Sequence, residues 1–204
     1  MFDLLVGVVG LNGSGKDTLA AYLKEKRDFA HKDLGQEIRD ELKVLGKNSL
    51  DRNEMIALGN ERRQKFGFDY WVKRAVDSLA PAKDIIITSV RNPVEVEYIK
   101  SNKGIILTPF ADLEVRYKRT VERVKSDSNA HGDVVSFEDF KLKEEKELRS
   151  DDPSKQQNLK CISMADYKLD NNGAPKQFFK EIDTLLKKLD SKKVSTKKAK
   201  NKKK

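Results

Sequence analysis

Gly10-Leu11-Asn12-Gly13-Ser14-Gly15-Lys16-Asp17-Thr18 is the stretch on which the reading of the fold turns. A glycine, four residues and then glycine-lysine is the Walker A spacing of a phosphate-binding loop, provided that a strand precedes it and a helix follows. Both conditions hold. Leu4 to Val9 is a short, valine-rich run that reads as a buried parallel strand, and Lys16 to Arg27 places Leu19, Ala20 and Leu23 at helical spacing. The glycines let backbone amides turn inward on phosphate oxygens, the helix N-terminus adds positive potential, and Lys16 reaches the β and γ phosphates. Gly10, Asn12, Gly13, Ser14, Gly15, Lys16, Asp17 and Thr18 are therefore assigned to a nucleoside triphosphate, ATP, with magnesium as its ion. The hydroxyl residue expected directly after the lysine is replaced by Asp17, and a threonine comes one later. Thr18 is a candidate ligand of a phosphate or of the ion. For Asp17 two roles stay open: holding magnesium through water, or acting only on the helix dipole.

Working outward, helical patterns fall at about 36–45, 52–66 and 70–79, and Asp84 to Thr88 is the second clear strand. Pro93 to Lys100 opens with a proline that a first helical turn accepts, Ile105 to Thr108 is a third strand, and Leu113 to Lys125 is a highly charged helix. Ser126 to Ser136 has the composition of a mobile loop, Phe137 to Leu148 is helical, Tyr167 to Asp170 is a weak last strand, and Pro175 to Leu189 is a final helix. Alternating strands and helices predict an α/β fold: three layers, a parallel sheet flanked by helices, with a small lid at about 126–136.

Composition narrows the classes. A chain of 204 residues suits one α/β domain, here taken as residues 1–190. The formal charge of +9 resembles a nucleic-acid signal, but the eight lysines of residues 191–204 account for all but one of those charges. That lysine-rich tail has too little apolar content to offset folding entropy and reads as disordered; nucleic acid is a partner only through it. The apolar run Leu4 to Leu11 is too short to span a bilayer and no basic segment precedes it, so no membrane partner is expected. The single cysteine, Cys161, excludes an internal disulfide and fits a reducing cytoplasm.

The loop form resembles that of nucleoside monophosphate kinases of the adenylate kinase type. Leu34-Gly35-Gln36-Glu37-Ile38-Arg39 is similar to the helix start where such kinases place an arginine on the acceptor phosphate, which implies Arg39; Thr88-Ser89-Val90-Arg91 follows a buried strand as their second such arginine does, which implies Arg91. Leu58-Gly59-Asn60-Glu61-Arg62-Arg63 with Phe66-Gly67, and Arg91-Asn92-Pro93 followed by Glu95, are similar to a branch whose members include segments fused to deoxycytidylate deaminases; the resemblance brings in Arg63. The deaminase half is absent, since one cysteine cannot supply its zinc element. Ala165-Asp166-Tyr167 through Asn171-Asn172-Gly173 resembles the end of dephospho-coenzyme A kinases, implying that Asn172 and Gly173 lie near the adenine.

Residue chemistry supports the arginines. Phosphoryl transfer leaves the protein mainly to position two anions and stabilise spread charge, and forked guanidinium groups suit that task. Alternatives remain for each: Arg91 with Glu95, Arg39 with Glu37 or Asp40, and Arg63 as part of a polar helix face. Arg116, Arg119 and Arg123 share one helical face just before the lid; by resemblance Arg119 and Arg123 contact ATP, while pairing with Asp112, Glu114 and Glu122 is the other option. His131 lies in the lid. No aspartate ends the second clear strand, where Thr88 and Ser89 stand, and Asp33 is an alternative contact to metal or acceptor or simply a helix-entry residue. The expectation is an ATP-dependent kinase of a nucleoside monophosphate or similar phosphorylated metabolite, with Lys16, Arg91, Arg119 and Arg123 acting in transfer and Asp33, Arg39, Arg63 and Arg91 holding the acceptor. A dephospho-coenzyme A kinase and a nucleotide-binding regulator are the competing expectations. Oligomeric state is not legible.

Overall fold

The computed structural model describes residues 3–80, 82–126 and 136–201, less the side chains of residues 146, 147 and 192–201. The expected lid, with His131, falls almost wholly on 127–135 and so lies outside the described residues. The apolar runs form the sheet centre: β1 (Leu4–Val8) pairs in parallel with β3 (Asp84–Thr88) on one side and with β4 (Ile105–Phe110) on the other. At the margins, β2 (Ala30–Asp33) pairs with β3 and β5 (Tyr167–Asp170) with β4, again in parallel, so the order is β2-β3-β1-β4-β5.

Because successive side chains leave a strand on opposite faces, the central strands feed two cores. Leu5, Ile85, Ile87 and Ile106 pack beneath α2 (Leu34–Val44), α3 (Arg52–Phe66), α4 (Tyr70–Ser78) and α5 (Pro93–Ser101). Leu4, Val6, Val8, Ile86 and Leu107 pack against α1 (Lys16–Arg27) and α9 (Pro175–Asn201). Full enclosure of each aliphatic side chain contributes roughly 1.5–3 kcal/mol, which is why the runs carry no polar alternation. This is the three-layer P-loop kinase architecture that the sequence predicts.

Three elements differ from expectation. β2 was not legible because it is a half-buried edge strand, Ala-His-Lys-Asp, and edges tolerate charged residues that central strands exclude. The short α8 (Asn158–Ser163) has too few residues to show a period. The last helix does not stop near Leu189 but continues to Asn201: lysine and alanine are good helix formers, and no glycine or proline intervenes. α6 (Leu113–Ser126) and α7 (Phe137–Leu148) flank the undescribed segment.

All strands being parallel, their carboxyl ends share one edge. The loop at 10–15, Asp33, the turn at 89–92 and Asn171 all lie there, which is where ligands of such sheets bind.

Candidate functional site

The loop after β1 is braced from outside. Gly13 (φ +74°) and Gly15 (φ +104°) occupy left-handed backbone, and a Cβ at either would meet the Arg116 carbonyl oxygen at 2.5 Å or Asn171 Nδ2 at 2.2 Å. Asn171 Nδ2 donates to the Ser14 carbonyl (2.9 Å), and buried Arg116 donates to the carbonyls of Asn12 (3.3 Å) and Ala111 (2.9 Å) while pairing with Glu144. The inner face is left for a ligand. It opens on a cavity of about 330 Å³ lined by Gly13, Lys16, Asp17, Thr18, Arg119 and Arg123 among others. Ser14 Oγ and Arg119 Nη1 are buried atoms without a hydrogen-bond partner among the described residues, the condition expected of groups that await a polar ligand. These residues fit a triphosphate. Asp17 and Thr18 lie exposed in the first turn of α1, and no cluster of three or more His, Cys, Asp or Glu exists among the described residues. That arrangement suits magnesium, which is held through one or two protein groups and the nucleotide's phosphates, better than an all-protein cage.

Lys16 Nζ donates to the Leu11 carbonyl at 2.8 Å. Burial, then the neighbouring Arg91 and Arg123 charges, lower its pKa to about 8 against the pull of Asp17 and Asp33. The sign follows: near pH 8 half of the lysines are neutral, and an arriving polyphosphate favours the charged form. Nucleotide binding at pH 8.5 should therefore take up most of one proton, and affinity should fall as pH rises through 8, approaching about tenfold per pH unit. Calorimetry in buffers of different ionisation enthalpy measures this; binding without proton uptake at pH 8.5 contradicts it.

A second cavity, of about 480 Å³, is lined by Asp33, Arg39, Arg63, Arg91, Lys143 and Gln156, with aliphatic side chains between them. Asp33 ends β2 and caps α2: Oδ1 accepts the Gln36 amide (2.8 Å), and Oδ2 accepts the hydroxyls of Thr88 (2.8 Å) and Ser89 (2.5 Å). Burial alone would raise its pKa, but the Ser89, Thr88 and Gln36 hydrogen bonds together with His31 hold it below the usual carboxylate range. A carboxylate on the adjacent strand thus stands beside the end of β3, where the sequence has no acid. Thr88 and Ser89 stand there as the donors that fix it.

Arg39 Nε is buried with no partner among the described residues, because its expected neighbours are engaged elsewhere: Glu37 with Lys32 (2.7 Å) and Arg74, Asp40 with Gln36 (2.8 Å). Burial lowers its pKa, Asp33 opposes that, and nearby Arg52 adds to it. Arg91 Nη1 donates to Gln156 Oε1 (2.8 Å). Fully buried Glu95 instead receives Arg63 Nε and Nη2 (3.0 and 2.8 Å) on one oxygen and the amides of Arg91 and Asn92 (3.0 and 3.1 Å) on the other.

Residues 6–158 match a family described as AAA domain. The chain belongs to the AAA domain family. Among relatives of this AAA domain chain, the UPF0200 protein of Thermoplasma volcanium is 27% identical over 188 residues, covering 89% of this chain and 96% of the relative. The UPF0200 protein of Thermococcus kodakarensis is 29% identical over 196 residues, covering 93% and 100%. Solved structures with the same fold include a shikimate kinase from Acinetobacter baumannii in complex with shikimate, with TM-score 0.56, 19% identity and coverage of 94% and 95%. A gluconokinase from Sinorhizobium meliloti gives TM-score 0.56 and 12% identity over 96% and 98%. At such identities the likeness is one of fold, a P-loop kinase-like sheet. No helix among the described residues is long and apolar enough to cross a membrane.

Within this AAA domain the residues read from sequence separate into two groups of use. Asn12, Gly13, Gly15, Lys16, Asp17, Thr18, Arg119 and Arg123 line the nucleotide cavity, Arg123 Nη2 approaching Asn12 Oδ1 at 3.4 Å, while Gly10 and Ser14 belong to the loop but not to that lining. Asp33, Arg39, Arg63 and Arg91 line the second cavity, although Arg63 spends two nitrogens on Glu95 and is in part a fold residue. Asn172 does not face the nucleotide cavity: its amide donates to Asp170 and its Oδ1 accepts the Asp112 amide, so it closes the turn. Gly173 borders the site through its carbonyl, 3.5 Å from Arg119 Nη2. Asn171, Pro175 and Phe178 line the cavity in their stead. The sequence held only one signal for Asn171, its position directly after the last strand, and none for Gln156.

Proposed function

We propose that the chain is an ATP-dependent, magnesium-assisted phosphotransferase acting on a nucleoside monophosphate or a similar phosphorylated small metabolite. The observation that carries this reading is the closeness of the loop lysine to the second cavity: the charges of Asp33 and Arg91, both of which line that cavity, act on Lys16. A donor phosphate on the loop and an acceptor beside Asp33 would then be neighbours, which is the task such a reaction sets. The small-molecule kinases with this fold support it.

In the reaction the acceptor oxygen attacks the γ phosphorus in line, the bond to the bridging oxygen breaks, and ADP leaves with the electron pair. Lys16, Arg119 and Arg123 offset the charge on the transferring oxygens. Where the attacking group of the acceptor is a hydroxyl, Asp33 accepts its hydrogen bond and takes its proton as the new O–P bond forms; a phosphate oxygen attacks already deprotonated and needs no base. Arg39 and Arg91 hold the phosphate that the acceptor already carries. Magnesium, held at Asp17 or Thr18 and the phosphates, would neutralise charge between the β and γ groups. The lone, buried Cys161, whose thiol pKa burial pushes up, suits a reducing cytoplasm.

Arg39→Ala and Arg91→Ala should each lower kcat/KM for the acceptor by about tenfold to a few hundredfold, the equivalent of a charge-assisted contact of roughly 1.5–3 kcal/mol, and leave ATP affinity nearly unchanged. Lysine at either position should restore only part of the loss, because a point charge lacks the bidentate fork. Steady-state kinetics with a panel of ribo- and deoxynucleoside monophosphates and dephospho-coenzyme A tests this; an Arg91→Ala enzyme as active as wild type would remove the site assignment.

A further inference from the structure

β2 carries a histidine that neither the nucleotide loop nor the acceptor arginines use. Two residues apart on the strand, His31 and Asp33 share a face with Ile86 and Thr88 of β3, which the register sets opposite them; Ile86 packs there beneath α1. Asp17 and Lys24 of α1 act on the His31 ring electrostatically, as Asp33 does from its own strand. His31 Nε2 lies 2.8 Å from Thr88 Oγ1, and Thr88 Oγ1 donates to Asp33 Oδ2 at 2.8 Å. Ser89, in left-handed backbone (φ +60°), donates to the same oxygen at 2.5 Å. A non-glycine residue held in that region is strained, and surrounding structure must over-determine it.

The direction of these bonds follows from counting protons. An ionised carboxylate only accepts, so the proton between Thr88 and Asp33 belongs to Thr88. A hydroxyl has a single proton, and once that proton is committed to Asp33 the Thr88 oxygen can only accept from His31. The ring then carries a proton on Nε2. The same count places the acceptor. Each carboxylate oxygen offers about two lone pairs; Oδ2 gives both to hydroxyls and Oδ1 gives one to the Gln36 amide, so among the described residues the remaining site is on Oδ1.

We propose that His31 is a positioning residue for Asp33: as the Nε2–H tautomer it donates to Thr88, commits the Thr88 proton to Oδ2, and leaves Oδ1 as the oxygen that meets an acceptor hydroxyl. This role deepens the kinase reading and rests on it for what Asp33 does. With the opposite tautomer the Thr88 proton would turn to the ring, and the carboxylate would lose one of the two donors that fix its Oδ2.

The test reads the ring directly. Long-range 1H–15N spectra of the full chain at about pH 8.5, with His131→Gln used to assign the two histidines, distinguish a ring protonated on Nε2 from one protonated on Nδ1. Wild type should be Nε2–H. In Asp33→Asn the Gln36 amide keeps the Asn oxygen and Nδ2 donates to Thr88, so the freed Thr88 proton turns to the ring and His31 should move to Nδ1–H. A melting temperature for each variant shows that it is folded. Where a hydroxyl acceptor is turned over, His31→Ala should lower kcat about threefold to tenfold, as the loss of one hydrogen bond requires, with acceptor KM and ATP affinity within about twofold of wild type. His31→Gln, whose amide can donate in the same place, should regain most of that loss. His31→Ala combined with Thr88→Val should be no slower than Thr88→Val alone, because both act through one chain of bonds. An Nδ1–H ring in wild type, the same tautomer in wild type and Asp33→Asn, or a His31→Ala enzyme with wild-type kcat overturns the role. Failure of the kinase reading has a different signature: a ring that switches tautomer as expected while no acceptor is phosphorylated.

Discussion

Lys16→Ala is expected to abolish measurable phosphoryl transfer while leaving the fold intact. The lysine touches its own loop through one bond, to the Leu11 carbonyl, which the sheet does not need. Its removal also takes away a burial cost, since the structure lowers its pKa to about 8. A charge placed on developing negative oxygens in a protected cleft contributes to kcat by about a hundred- to a thousandfold, and its ground-state contact to ATP affinity by roughly tenfold or more. Calorimetric ATP binding, turnover and the circular dichroism spectrum measured together decide the matter. Undiminished ATP affinity and turnover in a folded mutant would exclude the loop as the nucleotide site.

The second large effect is expected at Asp33. Asn at this position keeps one oxygen, which can cap α2 through the Gln36 amide, while its Nδ2 must donate to the Thr88 and Ser89 hydroxyls, which can turn to accept, so the fold should persist at a cost of roughly 1 kcal/mol. What it loses is the charge that, for an acceptor attacking through a hydroxyl, orients that group and receives its proton. The kcat of Asp33→Asn should fall by about a hundred- to ten-thousandfold, with ATP affinity close to wild type. Because the folded structure holds the Asp33 pKa below the ordinary carboxylate range, the wild-type rate should show no acid limb from this group between pH 6 and 8. A mutant retaining a third or more of wild-type kcat would reduce Asp33 to a helix cap.

How much of this was legible in the sequence depended on whether the signal was local. The loop was readable because its glycines answer a steric demand within nine residues, and β1 and β3 because double-sided burial demands unbroken apolar runs. β2 escaped because an edge strand needs no such run, and with it escaped the location of Asp33 beside the end of β3. The nearness of a carboxylate to the end of β3 is a relation between two strands that only their pairing creates, Asp33 opposite Thr88. Arg39 and Arg91 were found by position along the chain. The partners that decide their availability were not: Glu95 turns out to hold Arg63, and Gln156 to hold Arg91, across separations of 32 and 65 residues. Arg116, which shares a helical face with Arg119 and Arg123, is buried as a brace for the loop, a difference set by Glu144 on α7. For Asn171 over Asn172 the distinction is one residue in a turn, which periodicity does not resolve.

The central claim is that the bound nucleotide gives up its terminal phosphate to an acceptor already bearing one. Its most direct test is transfer of label from γ-labelled ATP, with magnesium, to ribo- and deoxynucleoside monophosphates and dephospho-coenzyme A, with unphosphorylated nucleosides as controls. ADP and a labelled acceptor are expected in equal amounts for at least one phosphate-bearing compound, and no labelled product from the nucleosides. Lys16-dependent ATP binding with no labelled acceptor anywhere in the panel, or transfer that prefers the nucleosides, would contradict it.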